Sequence, residues 1–268
     1  MHTLRNTAAR WLHQDTPAIL IEITRTRGSV PRHSGTRMLV SVTHTEGTIG
    51  GGHLEWQAIT TARAMLGSGD ATARTIDYPL GPALGQCCGG TVALRFERLT
   101  ADALAAWPDT APLFHLQLYG AGHVGRAIVR LLATLPVTVD WIDEREEQFA
   151  QSLADDAWPA HIRRIAVDAV ESEVRGAPPD GFYLVLTHQH DLDLRIAQAI
   201  LRRGDFGFFG MIGSKTKRAR FAHRFEAQGI APATIARMRC PIGVEGIPGK
   251  QPEVIAVAAV AQLLQAAG

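Results

Sequence analysis

Short runs of aliphatic and β-branched residues alternate with glycine-rich stretches over the first 98 residues of the chain. Three of these runs have the composition of β-strands: AILIEIT, TRMLVSV and TVALRFERL. A helical segment, LEWQAITTARAML, lies between the second and third runs, and an amphipathic helix with Leu4, Ala8, Trp11 and Leu12 on one face is predicted near the start. This pattern predicts a mixed α/β N-terminal domain over residues 1–98.

The hydrophobic pattern changes after residues 99–112, LTADALAAWPDTAP, where two prolines and small polar residues indicate a linker. From residue 113 onward, apolar strands alternate with helical segments. The predicted strands are LFHLQLY, VTVDWID, IRRIAV, FYLVLT and FGFFGMI, and the predicted helical segments are GAGHVGRAIVRLLATL, DLDLRIAQAILRRG and SKTKRARFAHRFEAQG. Such an alternation is typical of a parallel sheet covered on both faces. The predicted fold class is therefore α/β, with a Rossmann-like doubly wound parallel-sheet domain over residues 113–268.

Composition and charge narrow the classes of function. Hydrophobic residues make up 46% of the chain and charged residues 20%, an ordinary composition for a soluble protein. The net charge of +1 gives no indication of a nucleic-acid partner or of an anionic membrane. No apolar run approaches the roughly 18 residues that span a bilayer, and the N-terminus lacks a basic region followed by an apolar one. Three cysteines, two of them adjacent, argue against a disulfide scaffold, so we expect a cytoplasmic protein.

The segment GAGHVG, residues 120–125, matches the G-x-G-x-x-G fingerprint of nucleotide-binding folds. It follows a predicted strand and opens a predicted helix, and Asp143 closes the next strand roughly 20 residues later, as the fingerprint requires. The helix N-terminus offers N–H donors to a phosphate, Asp143 suits a ribose diol, and Arg145 suits an extra phosphate or an adenine ring. The residues expected to contact a cofactor are Gly120, Gly122, His123, Gly125, Asp143 and Arg145. A tight strand-to-helix turn without a ligand is the alternative.

A second polar segment, THQHDLD, follows the fourth strand of this domain, at the edge where open parallel sheets bind ligands. His188 and His190 are candidate cofactor contacts. Three interpretations stay open. The histidines line a polar crevice while Asp191 caps the next helix, or they contact a ligand without metal, or they ligate a metal as an H-x-H pair.

The fifth strand ends on GMIGSK at the same edge of the sheet. Ser214 is placed to cap the following helix, Gly213 permits the close approach of an anion, and Lys215 adds positive charge. These three residues are a candidate second contact for a phosphate or carboxylate. A solvated basic helix start is the alternative.

Three glycine-rich motifs distinguish the N-terminal half: RGSVPR, GTIGGGHLE and GQCCGG. Three consecutive glycines destabilise regular structure, so we expect them where backbone approaches a ligand closely. A pocket of glycine backbone with thiols and arginines suits a flat, anionic ligand that carries sulfur or metal. The residues expected there are Arg27, Arg32, Gly50, Gly51, Gly52, Cys87 and Cys88. For the two cysteines, a tight buried turn at a domain boundary is the alternative.

Seven motifs occur in order from about residue 18 to the C-terminus: RGSVPR, GTIGGGHLE, QCCGG, YGAGHVGRA, LTHQHDLD, GMIGSKTK and CPIGVEGIPGKQPEVIAVAAVAQLL. This combination resembles the XdhC family, accessory proteins of xanthine dehydrogenase and related molybdenum hydroxylases. The resemblance implies an N-terminal XdhC/CoxI domain, a C-terminal Rossmann domain and a homodimer.

The resemblance also implies a function. Members bind the molybdenum cofactor (molybdopterin), protect it while a cysteine desulfurase exchanges an oxo ligand of the molybdenum for sulfido, and hand it to xanthine dehydrogenase or a related hydroxylase. The acting group, and the expected molybdenum ligand, is then Cys87 or Cys88, because adjacent side chains of an extended chain point to opposite sides. A thiolate is a soft ligand that suits molybdenum. The expected partners are the client enzyme, the desulfurase and a second copy of the chain.

Two other functions are open on the sequence alone. The fingerprint and Asp143 also suit an NAD(P)-dependent oxidoreductase with His188 or His190 as the proton donor, so that a nucleotide or NAD(P) occupies the Rossmann domain. A metal- or redox-sensing regulator is the third hypothesis. A cofactor chaperone without multiple-turnover chemistry accounts for both the glycine–cysteine motifs and the fingerprint, and we prefer it.

Overall fold

The structure, a computed structural model, describes residues 4–70, 72–80, 89–108, 111–150 and 158–268. The chain divides into two compact units, one within residues 2–109 and the other within residues 110–268. The division falls inside the segment predicted as a linker. Across the described ranges, no helix has both the length and the apolar composition that a membrane crossing requires.

Over the residues described, the N-terminal unit is an antiparallel five-stranded sheet with helices on both faces. Its elements are α1 (Leu4–His13), β1 (Ala18–Arg27), β2 (Arg37–Ser41), β3 (Thr45–Gly47), α2 (Gly52–Ser68), β4 (Arg74–Pro79), β5 (Thr91–Arg98) and α3 (Ala101–Ala105). The strand order is β3-β2-β1-β5-β4, and all neighbouring pairs are antiparallel. The mixed α/β prediction for this half is confirmed, although β3, β4 and α3 were not predicted.

Strand β1 explains why this sheet needs helices on both faces. Ile19 and Ile21 lie on one face, in a core that includes Leu54 of α2. Leu20 lies on the other face, in a core that includes Trp11 of α1. Because alternate residues of a strand point to opposite sides, the continuous apolar run AILI exposes apolar surface on both faces until each is covered.

The segment predicted as a linker, residues 99–112, departs from that expectation over its first part. Helix α3 forms here, and Oγ1 of Thr100 caps it by accepting a hydrogen bond from the backbone N–H of Ala103 at 3.1 Å. Leu99 and Trp107 are buried in the core that α1 lines. These apolar side chains attach residues 99–107 to the N-terminal unit.

The C-terminal unit, over the residues described, is a five-stranded parallel sheet. Its elements are β6 (His115–Tyr119), α4 (His123–Leu132), β7 (Thr138–Asp143), α5 (Glu147–Ala150), β8 (Ile162–Ala166), a 3₁₀ helix (Val170–Gly176), β9 (Phe182–Val185), α6 (His190–Arg203), β10 (Phe208–Met211), α7 (Lys215–Ala227), α8 (Pro232–Ala236) and α9 (Pro252–Ala267). The strand order is β10-β9-β6-β7-β8, with parallel neighbours throughout. This is a doubly wound Rossmann arrangement, and the predicted fold class is confirmed.

Both faces of the parallel sheet are buried, as its apolar strands predict. Leu116 and Leu184 lie in a core formed with α4 and α9, whereas Tyr119 and Val185 lie in a core formed with α6 and α7. No helix was assigned to α9 from the sequence, because its apolar and small residues surround the helix instead of forming one stripe.

The segment after α8 covers the edge of the sheet beside β10. The backbone N–H of Arg239 donates to the carbonyl oxygen of Phe209 at 2.9 Å, and its carbonyl oxygen accepts from the N–H of Met211 at 2.8 Å. These bonds pair part of an edge strand that would otherwise present free backbone groups.

A substitution at Phe209 tests how much the core of the C-terminal unit contributes to stability. The side chain of Phe209 is fully buried and contacts the ring of Phe206 edge to face. We expect Phe209→Ala to lower the free energy of unfolding by about 3–5 kcal/mol, because it removes apolar contacts and leaves a cavity. Urea-induced unfolding measures the loss. Leu264→Ala, at a position that is 37% exposed, is the control and should cost less than about 1 kcal/mol. Equal losses would contradict the assigned core.

Candidate functional site

The loops that follow β6 and β9 lie side by side, where the strand order of the parallel sheet reverses. Gly120, directly after β6, has a φ of +121°, and a Cβ there would lie 2.4 Å from the carbonyl oxygen of Leu186. Only glycine permits this approach. The ends of β6 and β9 therefore meet at the switch point where open α/β sheets bind ligands.

The other two glycines of the GAGHVG segment, Gly122 and Gly125, differ in how much space surrounds them. A Cβ on Gly125 would lie 2.0 Å from the carbonyl oxygen of Gly120, so α4 can begin beside β6 only with glycine there. A Cβ on Gly122 would meet no described atom within 4 Å, and its φ of −70° suits any residue. His123, the first residue of α4, is exposed next to it. A tight turn explains Gly120 and Gly125, whereas the open space at Gly122 favours a ligand.

Asp143, at the end of β7, is buried and accepts four hydrogen bonds. Oδ2 accepts from the N–H of Ala121 at 2.6 Å and from Nη2 of Arg145 at 3.0 Å, and Oδ1 accepts from the backbone N–H and Nε of Arg145, each at 2.9 Å. Burial acts to raise the pKa of Asp143, but the bonds from Arg145 and Ala121 outweigh it, so the pKa lies below its ordinary value. Arg145 therefore contacts both oxygens of the carboxylate that was expected to bind a ribose diol.

The crevice at the ends of β6, β7 and β9 brings His188 close to Glu144. Nε2 of His188 lies 3.7 Å from Oε1 of Glu144, and both residues line the crevice. His190 begins α6, is exposed, and is not among the lining residues. Of the residues that the structure describes, no three His, Cys, Asp or Glu side chains converge to hold a metal ion. His188 is thus the better placed of the two histidines to contact a ligand.

The acid that organises the loop after β9 is Asp193. Asp191 is exposed within the first turn of α6, and the helix has no side-chain cap, so the expectation that Asp191 caps it is wrong. Oδ1 of Asp193 accepts from the N–H of Thr187 at 3.1 Å and from its Oγ1 at 2.7 Å. Oδ2 accepts from Nζ of Lys217 at 2.6 Å, and the same Nζ donates to the carbonyl oxygen of Ile212 at 3.0 Å. This ion pair joins the loops after β9 and β10.

Sequence analysis missed this ion pair. Acids are common in the first turn of a helix because they complement its dipole, so Asp193 carried no distinct signal. Lys217 belongs to the basic run KTKR, which suggested solvent exposure. The side chains of Asp193 and Lys217 are only 2% and 10% exposed, and this burial sets them apart from their neighbours.

Gly213, Ser214 and Lys215 of the GMIGSK segment have different surroundings in the structure. Oγ of Ser214 caps α7 by accepting from the N–H of Lys217 at 3.1 Å. A Cβ on Gly213 would lie 2.6 Å from Cδ of Lys217 and 3.1 Å from Sγ of Cys240. Lys215 is exposed and lines a groove at the sheet edge, away from the residues that line the crevice. Lys215 thus does not line the crevice, and an anion contact formed by these three residues stays a prediction.

The glycine motifs of the N-terminal unit come together where the structure describes them. A Cβ on Gly90 would lie 2.4 Å from the carbonyl oxygen of Ser29 and 2.5 Å from that of Arg27. A Cβ on Gly50, whose φ is +125°, would lie 2.6 Å from the ring of Pro31. The RGSVPR segment thus contacts both other motifs, and the side chain of Arg27 is exposed beside them.

Cys87 and Cys88, the expected acting thiols, lie outside the described residues. The glycines that follow them are described, and a Cβ on Gly89 would meet no described atom within 4 Å. The N–H of Leu80 donates to the carbonyl oxygen of Gly90 at 2.7 Å. The chain positions on either side of residues 81–88 are therefore hydrogen bonded to each other, next to the RGSVPR segment.

Glu55 holds the GTIGGG loop at the start of α2. Its Oε2 accepts from Oγ1 of Thr48 at 2.5 Å and from the backbone N–H groups of Ile49 at 3.1 Å and Gly51 at 3.0 Å. A Cβ on Gly51 would meet no described atom within 4 Å, and Gly52 is the first residue of α2. Sequence analysis missed Glu55, although an acid in the first helical turn after a glycine loop is the available signal.

These features define a protein of the Rossmann class, with a nucleotide-type turn in one unit and a cluster of glycine loops in the other. Residues 116–263 match the family model described as the XdhC Rossmann domain, and residues 11–79 match the XdhC and CoxI family. The first match alone covers more than half of the chain. The chain therefore belongs to the XdhC family, and the resemblance inferred from the seven motifs is confirmed.

Two known proteins are similar to this chain over most of its length. The uncharacterized protein YqeB of Escherichia coli (strain K12) is 28% identical over an alignment of 270 positions, which covers 96% of this chain and 45% of YqeB. This chain thus spans about half the length of that relative. A crystal structure of a xanthine dehydrogenase from Bacillus halodurans has a TM-score of 0.75 at 21% identity, covering 98% of this chain and 95% of that one. The likeness shows a shared fold.

The Asp193–Lys217 pair gives a direct test of how the crevice is built. We expect Asp193→Ala to lower the free energy of unfolding by about 3–5 kcal/mol, because it leaves a buried ammonium group without its partner. Replacing both residues by apolar side chains, Asp193→Leu with Lys217→Met, should recover much of that loss. Urea-induced unfolding of the wild type and the two variants measures both effects. A single variant as stable as the wild type would show that the pair is not buried.

Proposed function

We propose that this protein binds the molybdenum cofactor and delivers it to xanthine dehydrogenase or a related molybdenum hydroxylase. Membership of the XdhC family supports this function, as does the fold shared with a xanthine dehydrogenase structure. The observation that carries it is the packing of the RGSVPR segment against the other two glycine motifs. They meet at the end of the N-terminal sheet where β1 ends and β5 begins.

The described residues at this junction fit a flat, anionic cofactor. At Gly51 the backbone is open to the approach of a planar ring, since no described atom lies within 4 Å of a Cβ position. Arg27 and Arg32 are exposed nearby and suit the phosphate of the cofactor. When bound, the cofactor supplies the molybdenum and its dithiolene, and the protein supplies steric clearance and positive charge.

In this proposal, a thiolate from Cys87 or Cys88 binds the molybdenum. These residues directly precede Gly89 in the chain, and thiolates are the soft ligands that such a metal prefers. A cysteine desulfurase is the expected partner that sulfurates the protected cofactor, and a second copy of the chain completes the homodimer that the family resemblance implies. The protein then acts as an accessory protein, without multiple-turnover chemistry.

The C-terminal unit supports a second candidate function, which is nucleotide binding. Gly122 favours it, because the packing of the protein itself does not require a glycine at that position. An NAD(P)-dependent oxidoreductase would also need a proton donor beside the nicotinamide, and His188, which lines the crevice, has that chemistry. The geometry of the turn supports the binding of a phosphate, but it gives no separate support for hydride transfer. We therefore propose a nucleotide, or the phosphate of the molybdenum cofactor, as the ligand of this turn.

Loss of both thiols is the first test. We expect Cys87→Ala with Cys88→Ala to lower retention of the molybdenum cofactor, and its transfer to cofactor-free xanthine dehydrogenase, by about tenfold or more. Loss of a residue that only hydrogen bonds to a metal ligand typically lowers metal affinity by about tenfold or more, and loss of a direct ligand should lower it at least as much. Desalting the loaded protein and measuring the molybdenum that stays bound gives retention. Cys240→Ala, at a buried thiol of the other unit, is the control. Retention equal to wild type in the double variant would show that neither thiol is a ligand.

Gly122 tests the nucleotide-type turn. We expect Gly122→Ala to fold normally but to raise the dissociation constant for NADH by about tenfold, or roughly 1.4 kcal/mol, because its methyl group blocks the approach of a phosphate. Fluorescence titration with NADH gives the constant. Gly176→Ala is the matched control, since a Cβ there also meets no described atom within 4 Å. Absence of saturable NADH binding by the wild type at millimolar concentration would count against the oxidoreductase.

A further inference from the structure

A wide groove runs along the edge of the parallel sheet in the C-terminal unit, and neither candidate function uses it. Residues of α7 form one wall, the segment 237–247 forms the floor, and the end of α9 forms the other wall. We name it the edge groove and define it by Lys215, Arg218, Arg239, Ile242, Glu245 and Ile247. Its volume is about 1190 Å³.

Positive charge is concentrated among the residues that line this groove. Four of them are cationic, Lys215, Arg218, Arg237 and Arg239, and one is acidic, Glu245, which is a net charge of +3. The whole chain has a net charge of +1, so all other residues together carry −2. Such a separation of charge creates a local positive potential that the net charge of the chain conceals.

The cations of the edge groove fall into two groups. Arg237 is anchored, since Nη1 donates to the carbonyl oxygen of Gly204 at 2.8 Å, Nη2 donates to that of Phe206, and the guanidinium lies over the Phe206 ring. Lys215, Arg218 and Arg239 are exposed, and the salt bridges among the described residues include none of them. Three cations are thus available to an incoming partner.

Size and lining indicate the kind of partner. Pockets for small molecules usually enclose about 300–1000 Å³ and surround the ligand, whereas the edge groove is slightly larger than that range and is partly open to solvent. It also presents apolar surface, because Ile247 is 42% exposed and the small apolar side chains of Ala219 and Ala222 line it on the α7 side. An extended chain with acidic residues and an apolar side chain matches this combination better than a single phosphate does.

We propose that the edge groove binds an acidic segment of a partner protein. The carboxylates of that segment pair with Lys215, Arg218 and Arg239, and an apolar side chain covers Ile247. This inference is independent of the cofactor and of the nucleotide-type turn, since it uses neither the glycine motifs nor the crevice residues.

Peptide binding to the full chain tests the proposal. The probe is a fluorescein-labelled peptide of about 12 residues with about six Glu and Asp residues and two Leu residues, and its neutral counterpart carries Gln and Asn instead. We expect the acidic peptide to raise fluorescence anisotropy saturably, and more weakly as salt rises from about 50 to about 150 mM, because salt screens exposed charges. The neutral peptide should bind at least about tenfold more weakly.

Two pairs of substitutions separate the groove from net charge alone. Lys215→Gln with Arg218→Gln removes two groove cations, and we expect about a tenfold weaker affinity for the acidic peptide. Arg202→Gln with Arg224→Gln removes the same charge from exposed positions on α6 and α7 that do not line the groove, and should change affinity less than about twofold. Circular dichroism verifies that both variants fold.

Three results would overturn the proposal. The first is an acidic peptide that fails to bind the wild type, and the second is an equal loss of affinity in the groove pair and the control pair. The third is a single-stranded oligonucleotide of matched charge that binds more tightly than the peptide and depends on Lys215 and Arg218, since the groove would then serve nucleic acid. A loss confined to the groove pair, with the peptide preferred, supports an acidic protein partner.

Discussion

The loops of both candidate sites depend on one kind of interaction, a carboxylate that accepts hydrogen bonds from loop backbone. Glu55 holds the GTIGGG loop, Asp143 holds the turn at Ala121, and Asp193 holds Thr187. Loop N–H groups have no partner in a helix or a strand, and leaving them unpaired inside a protein costs free energy. A carboxylate can accept several bonds at once, so one side chain organises a whole loop.

Loops held in this way keep their shape without filling the space in front of them. A Cβ on Gly120, Gly125 or Gly90 would meet backbone atoms at close range, whereas a Cβ on Gly51 or Gly122 would meet none of the atoms that the structure describes within 4 Å. The two groups look the same in the sequence, since both belong to glycine-rich motifs. The difference between the two groups identifies the positions where a ligand can approach the backbone. A single substitution at such a position therefore tests the proposal for each unit.

Patterns within short segments predicted much of the fold. The five apolar runs after residue 113 form the parallel strands, and the fingerprint lies where β6 meets α4, because a buried strand and a phosphate-type turn each have a local signature. Contacts between distant segments were not predictable in this way. Helix α9 has no single apolar stripe, Asp193 pairs with Lys217 from another helix, and the basic residues of α7 divide between a buried pair and an open groove.

The sequence by itself determined the α/β class, the family and the location of the glycine motifs, since these depend on residue type and local order. Only the tertiary structure decided which hydrogen-bond partners and which surroundings the individual side chains have. It made Asp143 a partner of Arg145, made Asp193 the acceptor of hydrogen bonds from Thr187 and Lys217, and placed Lys215 on the edge groove. The physical reason is that hydrogen bonding and burial depend on which chain segments meet, and a sheet brings together residues that are far apart along the chain.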